Sequence, residues 1–211
     1  MKSVLVTESF VSIQGESTYS GLSCFFVRLT GCNLRCNYCD TEYAYSGGEE
    51  MSIAALVAAW RDSNAVIAEI TGGEPLLQDG FPVLAAALRD CSDRALLVET
   101  NGSQDIGMIP EGVVAIMDVK CPGSGAGDSF YMPNIDKLRD YDEVKFVLKD
   151  REDYEWAKDF VVKYDLIDKC HAVLFGSVSG ELDAGTLGKW IISDKLKVRL
   201  QVQLHKIVKM A

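Results

Sequence analysis

The sequence predicts an α/β fold in which buried parallel strands alternate with amphipathic helices. Six apolar runs rich in β-branched and aromatic residues recur along the 211-residue chain. Runs of this kind are typical of strands that are buried on both faces of a sheet. Segments with helical spacing of apolar residues lie between several of these runs. No internal repeat, low-complexity tract or proline-rich linker divides the chain, so we expect residues 1–211 to form a single domain.

The predicted strands follow the chain in order. Six core strands are predicted at CFFVRL (24–29), AVIAEI (65–70), ALLVET (95–100), VVAIMDV (113–119), EVKFVL (143–148) and HAVLFG (171–176). A further strand is predicted near each end, at VTESFVSIQ (6–14) and KVRLQVQL (197–204).

Four segments between the strands are predicted to be helices. They are SIAALVAAWRD (52–62) with Ser52 as N-cap, FPVLAAALRD (81–90) with Pro82 in its first turn, DYEWAKDFVVKY (153–164), and the glycine-containing DAGTLGKWIIS (183–193). Alternation of strand and helix implies βαβ units with right-handed crossovers. Six such units can curl into an open partial barrel or lie flat as a doubly wound sheet. In either case, ligands are expected at the carboxyl ends of the strands.

The charge of the chain limits its partners. Lys and Arg number 21 and Asp and Glu number 31, so the formal net charge is −10. A surface this acidic repels phosphate backbones, so nucleic-acid binding as a main task is not expected. No apolar run reaches the roughly 18 to 20 residues that cross a bilayer, and the start of the chain lacks the pattern of a signal peptide. We therefore expect a cytoplasmic protein without a membrane segment.

The seven cysteines are unevenly distributed. An odd number in a chain without an export signal argues against a disulfide framework. Three of them form C-x3-C-x2-C within TGCNLRCNYCDTE (30–42), in a predicted loop just after the first core strand. The other four are predicted to be small buried residues: Cys24, Cys91, Cys121 and Cys170.

Two kinds of metal site compete for the three clustered thiols. A structural zinc site needs four ligands, commonly from a second C-x2-C pair or from histidines, but His171 and His205 are isolated and far along the chain. An iron–sulfur cluster is usually held by four cysteines, so three would leave one iron with an open coordination position. An open position indicates that another ligand binds there and takes part in chemistry.

The C-x3-C-x2-C segment resembles the cluster motif of the radical S-adenosylmethionine (SAM) superfamily, in which Tyr38 would fill the aromatic position before the third cysteine. In that superfamily SAM chelates the open iron, and its reductive cleavage yields a 5′-deoxyadenosyl radical. A second stretch, ITGGEP (70–75), directly follows the second core strand. Glycines there expose the backbone to a close ligand, and Glu74 can accept a hydrogen bond from the ammonium group of SAM.

Five motifs narrow the resemblance to one family. They are SIQGES (12–17), FVRLTGCNLRCNYCDT (26–41), TGGEPLLQ (71–78), VETNG (98–102) and QLHK (203–206). The set resembles the 7-carboxy-7-deazaguanine synthase family nearly end to end. The resemblance implies an open partial (β/α)6 barrel of the radical SAM type, modified and with extra terminal strands. It also implies conversion of 6-carboxy-5,6,7,8-tetrahydropterin to 7-carboxy-7-deazaguanine with loss of ammonia, in queuosine and 7-deazapurine biosynthesis. SAM would be regenerated in each cycle, with Mg²⁺ assisting.

The resemblance implies roles for individual residues. Substrate contacts fall on Ile13, Gln14, Gly15, Glu16, Arg28 and Thr71, SAM contacts on Tyr38, Asp40, Gly73, Glu74, Asp118, Lys120 and Ser177, and metal contacts on Cys32, Cys36 and Cys39 for a [4Fe–4S] cluster and on Thr41 for Mg²⁺. The radical is carried by the substrate, so no side chain is predicted to be catalytic. Arg28 is a bidentate donor suited to the substrate carboxylate, or alternatively a partner in a surface ion pair. The hydroxyl of Thr41 is a hard oxygen that suits Mg²⁺.

Two features depart from the family, and several alternatives stay open. Ser17 stands where a glycine often follows Gln-Gly-Glu, and the sequence ends at IVKMA soon after QLHK, so whether residues near Ala211 cover the substrate is an open question. A glycyl-radical activating enzyme, a radical dehydratase or an epimerase would share the cysteine motif, and a zinc-stabilised interaction domain needs only the cysteines. Flavodoxin as the reductant and a homodimer are expected by analogy.

Overall fold

The computed structural model describes residues 2–210, which form one mixed sheet of nine strands flanked by helices. The strands are β1 (Ser3–Ile13), β2 (Ser23–Leu29), β3 (Glu49–Ser52), β4 (Ile67–Gly72), β5 (Leu96–Thr100), β6 (Val114–Asp118), β7 (Glu143–Leu148), β8 (Ala172–Ser177) and β9 (Arg199–Gln201). The helices are α1 (Ile53–Asp62), α2 (Phe81–Asp90), α3 (Arg151–Lys163), α4 (Leu166–Lys169), α5 (Ala184–Ser193) and α6 (Leu204–Val208).

The strand order decides between the two predicted architectures. The order is β3-β1-β2-β4-β5-β6-β7-β8-β9, in which β2 and β4 to β9 are parallel and β1 is antiparallel to both β2 and β3. Parallel strands that follow one another without a reversal of order place their crossovers on one face, as in a barrel and unlike a doubly wound sheet. Within residues 2–210, β3 and β9 do not pair, so the barrel is open. The prediction of an open partial barrel with extra terminal strands is confirmed.

The main core lies between the sheet and the helices outside it. Trp60 of α1 and Phe81 of α2 are fully buried, and the ring of Phe25 stacks on Trp60 with centroids 6.0 Å apart. Val27 and Leu29, at alternate positions on the same strand as Phe25, face this core too. Burying a large apolar side chain stabilises the fold by roughly 1.5–3 kcal/mol relative to exposure. Core packing therefore fixes which face of each strand points outward.

The inner face of the sheet changes character along the strands. Near the amino ends of the parallel strands it is apolar, with Cys24, Phe26, Ile67, Leu97, Val114 and Ile116 in one buried cluster. Side chains two residues further along a strand point to the same face. On this rule the next inward residues are Arg28, Glu69, Thr71, Glu99 and Asp118, and Lys145 lies beside Asp118 in the register of β6 and β7. The barrel interior is therefore apolar at its amino end and charged toward its carboxyl end.

The four predicted helices are present, and polar caps define where three of them begin. Ser52 accepts a hydrogen bond from Ala55 N at 3.2 Å, and Asp183 caps α5 in the same way. Asp150 caps α3, which starts two residues earlier than predicted for that reason. Pro82 lies in the first turn of α2, as expected. Among residues 2–210, no helix combines the length and apolar character that a membrane span requires.

Two crossovers lack the expected helix. Between β5 and β6, and between β6 and β7, the described chain forms only short 3-10 turns, so the expectation of six strand–helix units is wrong. The buried side chain of Asn134, which lies in the second of these crossovers, satisfies backbone groups of the first instead. Its amide nitrogen donates to the carbonyls of Gly102 and Gln104, and its oxygen accepts from Ile106 N. One side chain thus takes over hydrogen bonds that a helix would have made internally.

Both edges of the sheet differ from the prediction. The strand predicted at 197–204 is limited to β9, and the chain then turns into α6. The edge strand β3 was not predicted, because its acidic sequence has no apolar alternation. Of the four scattered cysteines, Cys24, Cys121 and Cys170 are buried as predicted, whereas Cys91 is half-buried at the end of α2.

Candidate active site

The inner face of the barrel encloses a cavity of about 730 Å³, a volume typical of sites for small organic ligands. Its wall includes the inward-facing charged residues of the parallel strands, the loop that carries the clustered cysteines, the loop after β1, and residues 203–206. Every predicted site residue except Glu74 lies on this wall. The structure therefore brings the separate sequence motifs together around one space.

The cysteine loop is anchored to the strands beneath it. Tyr38 Oη donates to Val147 O at 3.0 Å, and Asn37 N donates to Ser124 O at 2.9 Å. The three thiols are half-buried on the cavity wall. Among residues 2–210, no three His, Cys, Asp or Glu side chains are grouped closely enough to hold a single metal ion.

The two glycines of the TGGEP motif lie directly against the start of the cysteine loop. Gly72 has φ +152°, and a Cβ there would come within 2.8 Å of Leu29 N and closer still to Leu29 O. A Cβ on Gly73 would lie 2.7 Å from the Cβ of Cys32 and closer still to Gly31 O. No side chain fits at either position. Both glycines are therefore required for β4 to run beside the thiols.

Glu74 lies beneath the cavity wall rather than on it. Its buried carboxylate accepts hydrogen bonds from Leu76 N at 3.0 Å, Thr100 Oγ1 at 2.8 Å and Asn101 N at 2.7 Å. Burial raises the pKa of Glu74 to about 7, although these hydrogen bonds act in the opposite direction. The contact of Glu74 with the ammonium group of SAM stays a prediction, and it requires one of the three bonds to be shared or replaced.

The loop after β1 enters the barrel from an unexpected side. Because β1 is antiparallel to β2, with Ile13 opposite Ser23, it ends near the amino ends of the parallel strands. Residues 13–16 thus lie at the carboxyl end of β1 but start at the amino ends of the parallel strands, opposite the cysteine loop. The loop then turns inward: Gln14, 4% exposed, donates through Nε2 to Glu69, and its Oε1 accepts from Glu16 N at 2.9 Å. The side chains of the loop after β1 therefore line the cavity even though the loop starts at the opposite end of the barrel.

A network of opposite charges crosses the cavity floor. Lys145 Nζ lies 2.8 Å from Glu16 Oε2 and 3.5 Å from Asp118 Oδ2, and it also forms a short ion pair with Glu99. Lys120 Nζ contacts the same Asp118 oxygen at 2.9 Å. Burial alone would raise the pKa of Glu16, but the charge and hydrogen bond of Lys145, with a further hydrogen bond from the amide of residue 203, lower it to about 2. Glu16 is therefore ionised at neutral pH.

Arg28 forms an ion pair at the cavity wall, not on an open surface. Its Nε donates to Glu8 Oε1 at 2.7 Å, and its guanidinium lies 5.8 Å from the ring centroid of Tyr43, whose hydroxyl donates to the same Glu8 oxygen. The two Nη groups have no hydrogen-bond partner among residues 2–210. The part of the guanidinium that binds carboxylates bidentately is thus free of protein acceptors.

The C-terminal segment forms one side of the site. Leu204 N donates to Gly15 O at 2.8 Å, and Gln203 Nε2 donates to Glu16 Oε1 at 2.8 Å. A Cβ on Gly15 would lie 2.8 Å from His205 N and closer still to its Nδ1. Residues 203–205 therefore pack directly on the loop after β1. Ala211, for which contact with substrate was an open question, lies outside the described residues.

The same segment also contacts the residues that follow the third clustered cysteine. Lys206 Nζ lies 2.7 Å from Asp40 Oδ2, and Thr41 Oγ1 donates to Asp40 Oδ1 at 3.0 Å. Burial alone would raise the pKa of Asp40, but its hydrogen bonds from Lys206 and Thr41 hold the pKa below its ordinary value. The C-terminal segment thus contacts both the loop after β1 and the cysteine loop.

Asp118 carries an acceptor that lacks a donor. One of its oxygens is shared by two lysines, whereas Oδ1 is buried and has no hydrogen-bond partner among residues 2–210. An unsatisfied buried oxygen is costly, so a bound group with an N–H or O–H donor is expected to complete it. Asp118 lies on the cavity wall. The vacant acceptor therefore points to a ligand there.

Comparison with known proteins identifies the family. Residues 26–161 match the family model described as the Radical SAM superfamily. The 7-carboxy-7-deazaguanine synthase of Koribacter versatilis is 42% identical, with 96% of each chain covered. The one from Chlorobaculum tepidum is 39% identical, with 96% of this chain and 93% of the relative covered. The chain belongs to the 7-carboxy-7-deazaguanine synthase family.

The family assignment agrees with the fold and with the site. The crystal structure of QueE from Escherichia coli superposes with a TM-score of 0.78, covering 96% of this chain and 95% of that chain at 20% identity, so the likeness shows a shared fold. As a radical SAM enzyme of this family, the chain uses a [4Fe–4S] cluster and SAM. Its residues fit both groups: three thiols share one loop, the Gly72–Gly73 backbone lies beside them without side chains, and the vacant acceptor of Asp118 lies on the same cavity wall.

Several residues of the site were missed in the sequence. They are Glu8, Glu69, Glu99, Lys145, Gln203 and His205. A signal existed for Glu69, Glu99 and Lys145, since each of these charges lies in an otherwise apolar run at an inward-facing position. Gln203 and His205 belong to the QLHK motif, but the motif alone assigns neither of them a role, and long-range packing brings both to the site.

Proposed function

We propose that this family member converts 6-carboxy-5,6,7,8-tetrahydropterin to 7-carboxy-7-deazaguanine and ammonia, as a step of queuosine and 7-deazapurine biosynthesis. The observation that carries the proposal is the single cavity that joins residues 13–16 and Arg28 to the cysteine loop. The name shared by the relatives supports the same reaction. Loss of ammonia accounts for the whole difference between substrate and product, so the conversion needs no net oxidant.

The substrate half of the cavity suits a pterin with a carboxylate. The two free Nη groups of Arg28 can bind the substrate carboxylate bidentately. The ionised carboxylate of Glu16 can accept from the N–H groups of the pyrimidine edge, and Gln14 and the backbone of Ile13 offer further polar contacts. Thr71 adds a hydroxyl from β4 on the same wall. These groups hold and orient the substrate.

The cofactor half suits the polar groups of SAM. When bound, the cluster and SAM supply a reversible hydrogen-atom abstraction at C6 of the substrate. Asp118 Oδ1 would accept a hydrogen bond from a hydroxyl or ammonium group of SAM, and Lys120 would face the carboxylate of SAM. Gly73 and Ser177 offer backbone and hydroxyl contacts on the same wall. Every one of these assignments can be tested by binding without turnover.

We assign Mg²⁺ to the neighbourhood of Thr41. Its hydroxyl lies beside an Asp40 carboxylate oxygen on the cavity wall, and Mg²⁺ prefers hard oxygen ligands of this kind. Mg²⁺ usually keeps several water or substrate oxygens, so two protein oxygens are sufficient for a site completed by substrate.

The deciding experiment is an anaerobic assay of the iron–sulfur-reconstituted protein with SAM, dithionite, Mg²⁺ and 6-carboxytetrahydropterin, with products followed by mass. We expect the deazaguanine carboxylate and ammonia to form in equal amounts while SAM is not consumed. If SAM is cleaved to 5′-deoxyadenosine and the pterin is unchanged, the substrate assignment fails and a glycyl-radical activating enzyme becomes the better hypothesis.

Two matched arginine variants test the substrate half. Arg28→Gln removes a charge-assisted bidentate contact, which contributes about 1.5–3 kcal/mol, so KM should rise by roughly 10- to 150-fold. Arg61→Gln makes the same change at an exposed position of α1 and should leave KM unaltered. An unchanged KM in Arg28→Gln would remove the carboxylate-binding role.

The proposal extends to the organisation of the protein. We treat residues 1–211 as one radical SAM domain, supported by the single sheet that runs through residues 2–210. We also propose a homodimer, a one-electron donor such as flavodoxin, and no role for nucleic acid. Sedimentation and reduction of the cluster by purified flavodoxin test the first two points directly.

A further inference from the structure

Lys145 lies where the substrate half and the cofactor half of the cavity meet. It is an inward-facing residue of β7 and is 3% exposed. Val144 and Phe146 on either side of it belong to the outer core. A lysine in so buried a position needs anionic partners, because an unpaired buried ammonium is strongly destabilising.

The partners of Lys145 come from three separate elements. Its Nζ contacts Glu16 from the loop after β1 at 2.8 Å, Asp118 from β6 at 3.5 Å, and Glu99 from β5. Glu16 belongs to the proposed substrate half and Asp118 to the proposed cofactor half. One ammonium group therefore lies between carboxylates that serve two different ligands.

Lys145 is the cation that contacts all three of these carboxylates among residues 2–210. Lys120 also binds Asp118, but in residues 2–210 it contacts neither of the other two carboxylates. Glu69 lies on the same floor, and its pKa is raised well above the ordinary value by burial and by the neighbouring Glu99. Its carboxyl accepts a hydrogen bond from Gln14 and forms no ion pair with Lys145 among residues 2–210. The charge of Lys145 is thus divided among Glu16, Glu99 and Asp118.

We propose that Lys145 is a positioning residue that couples the binding of SAM to the binding of substrate. The inference rests on the function proposed above and adds a mechanism of cooperation between its two ligands. A donor from the cofactor at Asp118 Oδ1 draws the charge of that carboxylate away from Lys145. The ammonium then binds Glu16 and Glu99 more tightly and fixes Glu16 for the substrate. By reciprocity, bound substrate favours the cofactor by the same factor.

The test measures binding in the absence of turnover. The enzyme is loaded with its cluster and kept oxidised, and calorimetry gives the Kd of 6-carboxytetrahydropterin with and without saturating SAM, and the Kd of SAM with and without the pterin. We expect each ligand to tighten the other by about 5- to 150-fold in the wild type, equally in both directions. In Lys145→Met this factor should fall to about 1 while each ligand still binds alone. The exposed Lys163→Met variant should keep the wild-type factor.

The possible outcomes distinguish failure of the coupling role of Lys145 from failure of the proposed reaction. A wild-type coupling factor in Lys145→Met, or no coupling in the wild type, would overturn the inference while product formation stands. Failure of the pterin to bind the wild type even with SAM would refute the proposed function itself. If Lys145→Met does not take up iron, the double variant Lys145→Met/Glu99→Gln replaces it, because it removes one charge of each sign. The coupling factor between SAM and the pterin is then measured in that variant.

Discussion

Gly15→Ala tests whether the C-terminal segment is a functional wall of the cavity. The new Cβ would lie 2.8 Å from the backbone nitrogen of His205 and closer still to its ring, so the segment must move away. The φ of Gly15 is not in the left-handed region, so the backbone itself tolerates alanine and the effect is purely one of contact. We expect displacement of α6 without unfolding of the barrel.

The size of the effect follows from the contacts that are lost. The hydrogen bond from Leu204 N to Gly15 O contributes about 1 kcal/mol, and the charge-assisted bond from Gln203 to Glu16 about 1.5–3 kcal/mol. The ion pair of α6 with the cysteine loop, with side chains 40% and 56% exposed, adds less than about 1 kcal/mol. Opening of the segment should therefore become easier by about 3 kcal/mol, or about a hundredfold.

Hydrogen exchange followed by mass spectrometry measures this opening directly. Protection of the α6 amides should fall about a hundredfold in Gly15→Ala, with strand amides unchanged and substrate affinity reduced. The matched control is Gly188→Ala in α5, where the new Cβ would lie at 3.4 Å from a Leu200 methyl and no contact with α6 is lost. Wild-type protection of α6 together with wild-type substrate affinity in Gly15→Ala would refute the reasoning.

Three further predictions concern the core, the cysteine loop and pH. Phe81→Ala removes a fully buried ring and should lower the free energy of unfolding by about 3–5 kcal/mol in urea denaturation, whereas Val162→Ala, at a 73% exposed position, should change it little. Gly73→Ala places a Cβ against the cysteine loop and should sharply reduce iron content after reconstitution. Gly47→Ala, at a φ of +86° but with open space around the new Cβ, should not. Because the pKa of Glu74 is raised from 4.5 to about 7 in the folded state, its contribution to stability is complete below pH 4.5 and is lost as the pH rises toward 7. Across that range the loss amounts to about 3 kcal/mol, and Glu74→Gln should abolish this part of the pH dependence in parallel denaturation series.

The buried strands could be predicted because their apolar runs are rich in β-branched and aromatic residues, whereas the apolar runs of α1 and α2 are rich in alanine. The same runs also contain the information that places Arg28, Glu99 and Lys145 inside the barrel. Each of these residues is separated by one position from a neighbour on the same face, and strand geometry fixes the face once one neighbour is known to be inward. The polar cavity was therefore predictable in outline from the cysteine motif and strand parity together.

The remaining features depend on long-range packing. The direction of β1 is set by its pairing with β2, so nothing within SIQGES reveals that this loop enters from the amino ends of the parallel strands. The helix α6 is only five residues long and follows a three-residue strand, too short for either to leave a periodic signal. The β5–β6 crossover, which has no helix, is held by the buried amide of Asn134, and in the sequence this residue resembles any turn residue.

The contacts of Glu16 also have a consequence for the order in which the protein matures. Gln201 and Gln203, which both donate to Glu16, are synthesised 185 and 187 residues after it reaches the growing chain. The clustered cysteines leave the ribosome much earlier, and Ser124 and Val147, which anchor their loop, also precede both glutamines in the chain. The metal cluster can therefore be installed while the cavity is still open on the side that α6 later covers. The contacts that hold Glu16 for the substrate form only after residues 201–203 have been made.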